Sequence, residues 1–345
     1  MIHTQDNHVV DSDKTADSTS SSEHKSSRQN HFDQPLGAGR VRFPVARDVE
    51  RLKLGIVNAY LLGEPNAGDR EWVLVDAGMR FSNAQLVQAA AERFGPKSRP
   101  AAIVLTHGHF DHVGDLPALA DRWDAPVFCH PLEMPYVTGR SSYPPPDPVA
   151  GGGMLSAFSR FFPSAPINLG QRVQSLPEDG SVPGLQQWRW LHTPGHTAGH
   201  VSLFRDFDRL LIAGDAFTTV AQESALAVMM QITAVNRPPA YYTSDWESAR
   251  DSVEKLAELH PAIAATGHGV PMAARELMMQ LHDLLEKWET VAVPKNARYS
   301  HKPAVTNENG VVSVPPPVTD GKLIAAAGLA LGALVGAMLM GSRRS

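Results

Sequence analysis

The chain has 345 residues, of which 43% are hydrophobic and 19% are charged, and its formal net charge is −5 at pH 7. This length and apolar content suffice for one large α/β core with appended segments. No Lys/Arg-rich run stands out, which argues against the basic surface of a nucleic-acid-binding protein. The single cysteine, Cys129, excludes an intramolecular disulfide and favours a reducing compartment. Its place in the apolar run 125–129 predicts a buried core residue rather than a nucleophile.

The N-terminal segment predicts no packed structure. Residues 1–38 are rich in Ser, Asp and His and poor in apolar side chains, so we expect a disordered tail. The segment has no apolar run of the kind that a secretory signal peptide requires. We therefore expect a folded domain over residues 39–290 that stays in the cytoplasm.

The first part of that domain reads as strands and one helix. The fold starts at residues 41–45, and residues 55–63 and 71–78 predict a hairpin across turn residues such as Pro65 and Asn66. Residues 83–94 have apolar side chains at helical spacing and end at Gly95. Residues 101–105 predict a buried strand, and residues 113–123 predict a helix.

The loop between that strand and that helix carries the strongest signal in the chain. It has the pattern HxHxDH, formed by His107, His109, Asp111 and His112, and Gly108 removes side-chain bulk between two of them. Imidazole nitrogen and carboxylate oxygen suit zinc and neighbouring transition metals. Four such groups in one turn are crowded for a single ion. Two metals that share the loop are the simpler interpretation, and they require further ligands.

Three later loops offer those ligands, each after an apolar strand. His196 lies in the run TPGHTAGH over residues 193–200, Asp215 ends the strand at 210–214, and His268 follows the strand at 262–266. Ligands at strand ends sit on a rigid frame, as a catalytic metal site needs. His192 and His200 flank His196 but are not interpreted as ligands: His200 is expected to make supporting hydrogen bonds, and His192 is expected to be structural.

The remaining elements complete an α/β pattern. Residues 138–167 are rich in Pro and Gly and predict an insertion that caps the site, and residues 218–242 form a second variable stretch. Strands are predicted at 185–192, 201–204 and 209–213. A helix capped by Ser244 or Asp245 is predicted to run to residue 259, and another covers 273–288.

Together these residues resemble the metallo-β-lactamase fold superfamily of binuclear metallohydrolases. The matching residues are His107, His109, Asp111, His112, His196, Asp215 and His268. The motif around His196 resembles the generic branch with glyoxalase II-like thioesterases and lactonases. The resemblance implies an αββα four-layer sandwich over residues 41–289. It also implies that Asp76 orients a ligand histidine, although a strand-end turn explains that aspartate equally well.

The resemblance further implies two divalent metal ions, with zinc as the default. His107, His109 and His196 would hold one ion, Asp111, His112 and His268 the other, and Asp215 would bridge them. A metal-bridging hydroxide would attack an ester, thioester or lactone, with Asp111 helping to manage its proton.

The C-terminal segment predicts a membrane anchor. Residues 291–321 are Pro-rich and predict a semi-extended linker. Residues 322–341 predict a transmembrane helix, because residues 323–340 are uncharged and apolar and span about 27 Å as a helix. Gly328, Gly332 and Gly336 are spaced for helix pairing, which would support a homo-oligomer.

Two alternatives stay open. The same metal site could hydrolyse a β-lactam or a phosphodiester. A different class of function is a non-catalytic, membrane-tethered scaffold, but scaffold members of the superfamily have broken ligand sets and this set is complete. We therefore expect a single-pass membrane hydrolase that acts on a small molecule and binds no nucleic acid.

Overall fold

The computed structural model describes residues 41–318, and two β-sheets form their centre. The strands of the first sheet, in spatial order, are β1 (Arg42–Ala46), β2 (Val49–Leu54), β3 (Val57–Leu62), β4 (Val73–Val75), β5 (Ala102–Val104), β6 (Val127–Cys129) and β7 (Val173–Ser175). Strands β1 to β4 pair antiparallel, and β4 to β7 pair parallel. The predicted hairpin of β3 and β4 is therefore confirmed, whereas β2 had no prediction of its own.

The second sheet runs through the later half of the chain. Its strands, each hydrogen-bonded to the next, are β8 (Ser181–Val182), β9 (Leu185–His192), β10 (Val201–Arg205), β11 (Leu210–Gly214), β12 (Ile263–Thr266) and β13 (Met272–Ala273). Only the β11–β12 pair of this sheet is parallel. The predicted strands at 185–192, 201–204 and 209–213 all form.

Helices cover the outer face of each sheet. Their bounds are α1 (Asn83–Phe94), α2 (Phe110–Val113), α3 (Leu116–Trp123), α4 (Met134–Val137), α5 (Met154–Phe158), α6 (Ala225–Met230), α7 (Trp246–Glu258) and α8 (Ala274–Glu286). α1 and α3 bury their apolar faces on the first sheet, and α7 and α8 bury theirs on the second. Asp245, one of the two predicted caps of α7, accepts a hydrogen bond from the Ser248 amide.

Alternating side chains build the core between the sheets. In β3, Tyr60 and Leu62 face the second sheet, whereas Leu61 faces the helices; in β4, Val73 and Val75 likewise alternate with Leu74. This period of two is what a strand covered on both faces requires. The order helix, sheet, sheet, helix confirms the predicted αββα sandwich.

The pairing of the strands brings the predicted ligand loops to one edge. Because β4 and β5 are parallel, Asp76 and the loop that follows β5 leave the first sheet side by side. Because β11 and β12 are parallel, Asp215 and His268 leave the second sheet on the same side as each other. A backbone hydrogen bond from the Asn58 amide to the Gly267 carbonyl, 2.7 Å long, joins the two sheets there.

Two predicted conformations differ from the structure. The helix expected over residues 113–123 begins earlier, at Phe110, and breaks at Gly114, which has a φ of 36°. Asp111 and His112 therefore lie on a helical turn rather than in a loop. The stretch expected to be a semi-extended spacer contains a hairpin of β14 (Val305–Asn307) and β15 (Gly310–Ser313), and Tyr299 before it is buried. The hairpin is held to the domain through a bond from the Val311 amide to Ser141.

The predicted tail, residues 1–38, and the predicted span, residues 322–341, lie outside the described residues. Gly328, Gly332 and Gly336 lie outside them as well. Within residues 41–318, no helix combines the length and apolar character needed to cross a membrane.

Candidate metal centre

The seven predicted ligands converge at the edge where both sheets end. Asp215 is central: its Oδ2 lies 3.5 Å from His112 Nε2, 3.6 Å from His196 Nε2 and 3.1 Å from His268 Nε2. The Nδ1 atom of His109 lies 3.0 Å from the Nε2 atom of His196. All of these side chains are buried. The structure thus brings together residues from four segments that span more than 150 positions of sequence.

Within this cluster, two sets of three side chains are spaced to hold a metal ion and correspond to the predicted division of ligands. His107, His109 and His196 form the three-histidine group. Asp111, His112 and His268 form the mixed group. Their candidate ligand atoms lie within 4.8 Å of one another in each group. A third combination, His107 with His112 and Asp215, links the two, so Asp215 is placed to touch both.

Three of the polar atoms in the cluster have no hydrogen-bond partner among the described residues. His107 Nε2, His112 Nε2 and Asp215 Oδ1 are buried and accept or donate no hydrogen bond among the described residues. A buried polar atom without a partner costs about 1–3 kcal/mol, so three in one cluster require an occupant. Because the donors are imidazole nitrogen and carboxylate oxygen, the residues fit divalent metal ions.

The opposite ring nitrogens are held by the protein, which fixes how each ring points. Nδ1 of His107 lies 3.1 Å from Thr106 Oγ1, and Nδ1 of His196 lies 3.2 Å from Thr243 Oγ1. Nδ1 of His268 lies 2.7 Å from the Ile56 carbonyl oxygen. With Nδ1 engaged, Nε2 is the nitrogen left to face the centre.

Asp76 anchors the fourth of these rings. One of its oxygens accepts from the Thr106 amide, and the other lies 2.8 Å from both Thr106 Oγ1 and His112 Nδ1. Asp76 also has a φ of 59° at the end of β4. Both interpretations of Asp76 thus hold: it turns the chain, and it orients a candidate ligand.

Burial and charge act in opposite directions on the clustered groups. Burial lowers the pKa of His196 to about 3 and holds that of His107 well below its usual value. Burial also opposes the charge of Asp215, but His268 and His112 hold its pKa well below the usual range. The three-histidine group is therefore neutral, and Asp215 is anionic, which are the forms that bind a metal.

His200 makes the supporting hydrogen bonds expected of it, and His192 has contacts that fit the structural role expected of it. His200 accepts a hydrogen bond from the Asp215 amide at Nε2, 2.9 Å long, and its Nδ1 lies 2.9 Å from Thr193 Oγ1. Burial lowers the pKa of His200 to about 3, so it stays a neutral acceptor. His192 bonds to the Ala198 carbonyl and stacks on His130 at 4.2 Å. None of these three completes either metal group.

The prediction missed several residues that surround the centre. Thr106, Thr243, Tyr143 and the Ile56 carbonyl have no ligand-type pattern in the sequence. Glu133, which is fully buried, follows the apolar strand β6 as the ligands follow theirs, and this was the one available signal. Cys129, by contrast, is buried and free as predicted.

Comparisons with known proteins agree with this geometry. The sequence model of the family described as the metallo-beta-lactamase superfamily matches residues 52–268. A probable metallo-hydrolase of Bacillus subtilis (strain 168), YflN, is 45% identical over 255 residues, which are 74% of this chain and 95% of YflN. A second probable metallo-hydrolase of that organism, YybB, is 30% identical over 197 residues, 57% of this chain and 74% of YybB.

Among solved structures, a beta-lactamase domain protein from Burkholderia ambifaria aligns with a TM-score of 0.51 and 20% identity. The alignment covers 74% of this chain and 79% of that protein. At this identity the likeness shows the fold alone.

Proposed function

This chain belongs to the metallo-beta-lactamase superfamily and is a metal-dependent hydrolase, and we propose that it uses two divalent ions, zinc by preference, to cleave an ester, thioester or lactone. The observation that carries the proposal is the position of Asp215. One of its oxygens lies within 3.6 Å of three histidine Nε2 atoms that belong to different loops. A single carboxylate between two ligand groups suits a pair of ions better than one.

In the proposed site, each group would hold one ion, and Asp215 lies between the two groups. When bound, divalent ions would supply Lewis acidity, which lowers the pKa of water to about 7 and polarises a substrate carbonyl. The protein's own part is to keep the three-histidine group neutral and Asp215 anionic, and to hold the ligand rings in the correct rotation. Thr106, Asp76, Thr243 and the Ile56 carbonyl do so by holding the outward nitrogens of the rings.

Asp111 is the proposed proton acceptor. It is 6% exposed, and its Oδ2 lies 3.5 Å from His268 Nε2. Its side chain has two oxygens, so one can serve as a ligand while the other takes the proton that the attacking water loses. The buried phenol of Tyr241 stays protonated beside it, because burial and the Asp111 charge raise the pKa of Tyr241 well above its usual value.

The surroundings of the centre favour a substrate with an apolar part. The ring of Tyr242 stacks on His109 with centroids 4.3 Å apart, and Phe162 lies 5.6 Å from Phe110 and 6.5 Å from Tyr242. Phe110 and Phe162 keep part of their surface exposed. An aromatic wall of this kind contacts acyl or lactone carbon more favourably than a highly charged group.

The test combines metal content with turnover on the whole 345-residue chain. Ions per chain are measured by mass spectrometry, and the same sample is assayed on lactones, thioesters, carboxyl esters, a β-lactam and a phosphodiester. The Asp215→Asn variant removes the central charge. Asp206→Asn is the matched control, because Asp206 is exposed and pairs with Arg189 at another surface.

We expect close to two ions per chain. Turnover of carbonyl esters should fall about 10²- to 10³-fold in Asp215→Asn, the factor that follows loss of one electrostatic catalytic group, and should not fall in Asp206→Asn. Turnover of the phosphodiester or the β-lactam alone would reassign the substrate. Ester turnover equal in Asp215→Asn and wild type would refute the proposal.

A further inference from the structure

Glu133 joins the two segments that carry the three-histidine group. We name residues 106–112 the first ligand loop and residues 193–200 the second ligand loop. Glu133 lies on a 3₁₀ turn after β6, outside both, and is fully buried. Its Oε2 accepts from the Gly108 amide at 3.0 Å, and its Oε1 accepts from the Gly199 amide at 3.0 Å. One carboxylate thus connects the two loops across 91 positions of sequence.

Every partner of this carboxylate is a donor. Besides the two amides, the hydroxyl of Thr197 donates to Oε1 at 2.7 Å, and the hydroxyl of Tyr143 donates to Oε2. A carboxylate accepts on both oxygens, whereas a carboxamide of the same shape accepts on one and donates from the other. In Glu133→Gln, the donors of one loop would therefore face an NH₂ group, which cannot accept their hydrogen bonds. Four hydrogen bonds to a buried charge are strong bonds that the loops cannot replace with water.

The packing around Glu133 leaves no space for the loops to shift. A Cβ atom placed on Gly199 would lie 2.8 Å from Glu133 Cγ, and one placed on Gly108 would lie 2.6 Å from the Tyr143 hydroxyl. Both distances are shorter than real Cβ contacts. The two glycines are thus required because Glu133 and Tyr143 approach the loop backbones directly.

We propose that Glu133 is a positioning residue that clamps the first ligand loop to the second and so sets the affinity of the three-histidine group. Gly108 lies between two members of that group, and Thr197 directly follows the third. The mixed group also takes Asp111 and His112 from the first ligand loop, but Asp76 holds His112 and the Ile56 carbonyl holds His268, so we expect this group to depend less on the clamp. The inference rests on the proposed function only in assuming that each group holds its own ion.

The first experiment titrates metal out of the whole chain. Wild type, Glu133→Gln and Glu50→Gln are loaded with zinc and challenged with a chromogenic chelator of graded concentration. Glu50 is the matched control, since it is 7% exposed and ion-paired with Arg42 at 3.0 Å but lies on β2, away from both loops. We expect one of the two ions to bind 10–100-fold more weakly in Glu133→Gln, the range for lost groups that support a ligand.

The second experiment needs no metal and no substrate. Amide hydrogen exchange in the metal-free protein should be faster in Glu133→Gln at Gly108 or at Gly199, whichever of them faces the NH₂ group, and slow at both in wild type and in Glu50→Gln. If Glu133→Gln fails to fold, Thr197→Val, which removes one of the four donors, provides the same comparison with a smaller expected effect.

Equal weakening of both ions, or unchanged affinity and exchange in the variant, would overturn the clamp. These results are separable from failure of the proposed function. A wild-type protein that binds two ions but hydrolyses no carbonyl ester would refute the function and leave the clamp testable.

Discussion

Replacing Asp76 with asparagine should show how strongly a residue outside the ligand set controls the metal. Asp76 accepts three buried hydrogen bonds, two from Thr106 and one from His112 Nδ1, each 2.8 Å long. Asparagine keeps the shape but presents an NH₂ group on one side. Because the asparagine oxygen keeps its hydrogen bond from the Thr106 amide, the NH₂ group faces His112 Nδ1. His112 must then carry its proton on Nε2, the nitrogen that faces Asp215, and that nitrogen can no longer bind a metal.

The size of the effect follows from the bond that is lost. A hydrogen bond to a buried charge contributes about 1.5–3 kcal/mol, which corresponds to a factor of roughly 10 to 150 in an equilibrium constant. The range for groups that orient metal ligands is about 10- to 100-fold in affinity. We therefore expect the ion of the mixed group to bind 10–100-fold more weakly, with the three-histidine group little changed.

Competition with a chromogenic chelator measures the two affinities separately. Asp69→Asn provides the matched control. Asp69 also makes charged hydrogen bonds, to Arg99 on the surface, and the shortest of them is 2.6 Å long. It lies far from the ligand loops in sequence. Nitrogen chemical shifts of His112 report its tautomer directly. If Asp76→Asn kept the wild-type metal affinity of the mixed group, or the wild-type tautomer of His112, Asp76 would have a role in the turn after β4 only.

Three further predictions concern stability. Removing metal with a chelator should lower the unfolding temperature, because a free-ion concentration of 100 times the dissociation constant adds about 2.7 kcal/mol per site to the free energy of unfolding. An unchanged unfolding temperature would contradict metal binding by the folded chain. Arg205 is 1% exposed and pairs with Asp208 at 2.7 Å, so Arg205→Met should lower the free energy of unfolding measured in urea by about 3 kcal/mol. Arg205 lies at the other end of β10 from His200, so the zinc content of this variant should not change. Burial, with a smaller contribution from His192, lowers the pKa of His130 to about 4, against about 6.5 when unfolded. The folded state therefore binds that proton less, and stability falls as the pH drops from about 6.5 to 4. His130→Asn keeps an acceptor for the Leu132 amide but does not titrate, so its metal-free unfolding free energy should fall less between pH 7 and 5; an equal fall would contradict the assignment.

Local patterns predicted the elements that depend on nearby residues. Helix α1 forms over the predicted residues 83–94, because Leu86, Ala89, Ala90 and Phe94 recur at the period of a helix and Gly95 ends it. The strand β9 and the β10–β11 hairpin follow in the same way from alternation and turn residues. The HxHxDH pattern placed four candidate ligands within six positions, which needs no knowledge of the rest of the fold.

Other features depended on contacts that no local pattern contains. Gly114 follows α2 with a φ of 36°, and glycine is required there because a Cβ atom would lie 2.7 Å from the carbonyl oxygens of Gly78 and Met79. The Pro-rich stretch before residue 318 folds onto the domain because Tyr299 finds a buried position and donates to the Pro145 carbonyl. Neither partner lies near in sequence.

The sequence by itself determined which side chains are available for a metal centre and on which strand ends they stand, because ligand chemistry and strand periodicity are local properties. Only the tertiary structure decided which groups hold those side chains in place. Glu133 reaches the Gly199 amide, Asp76 reaches His112, and the Ile56 carbonyl reaches His268, across separations of 66, 36 and 212 residues. Such contacts arise when the two sheets form and pack against each other. Carboxylates, hydroxyls and carbonyls occur throughout any chain, so the partner of each one is defined only when the fold forms.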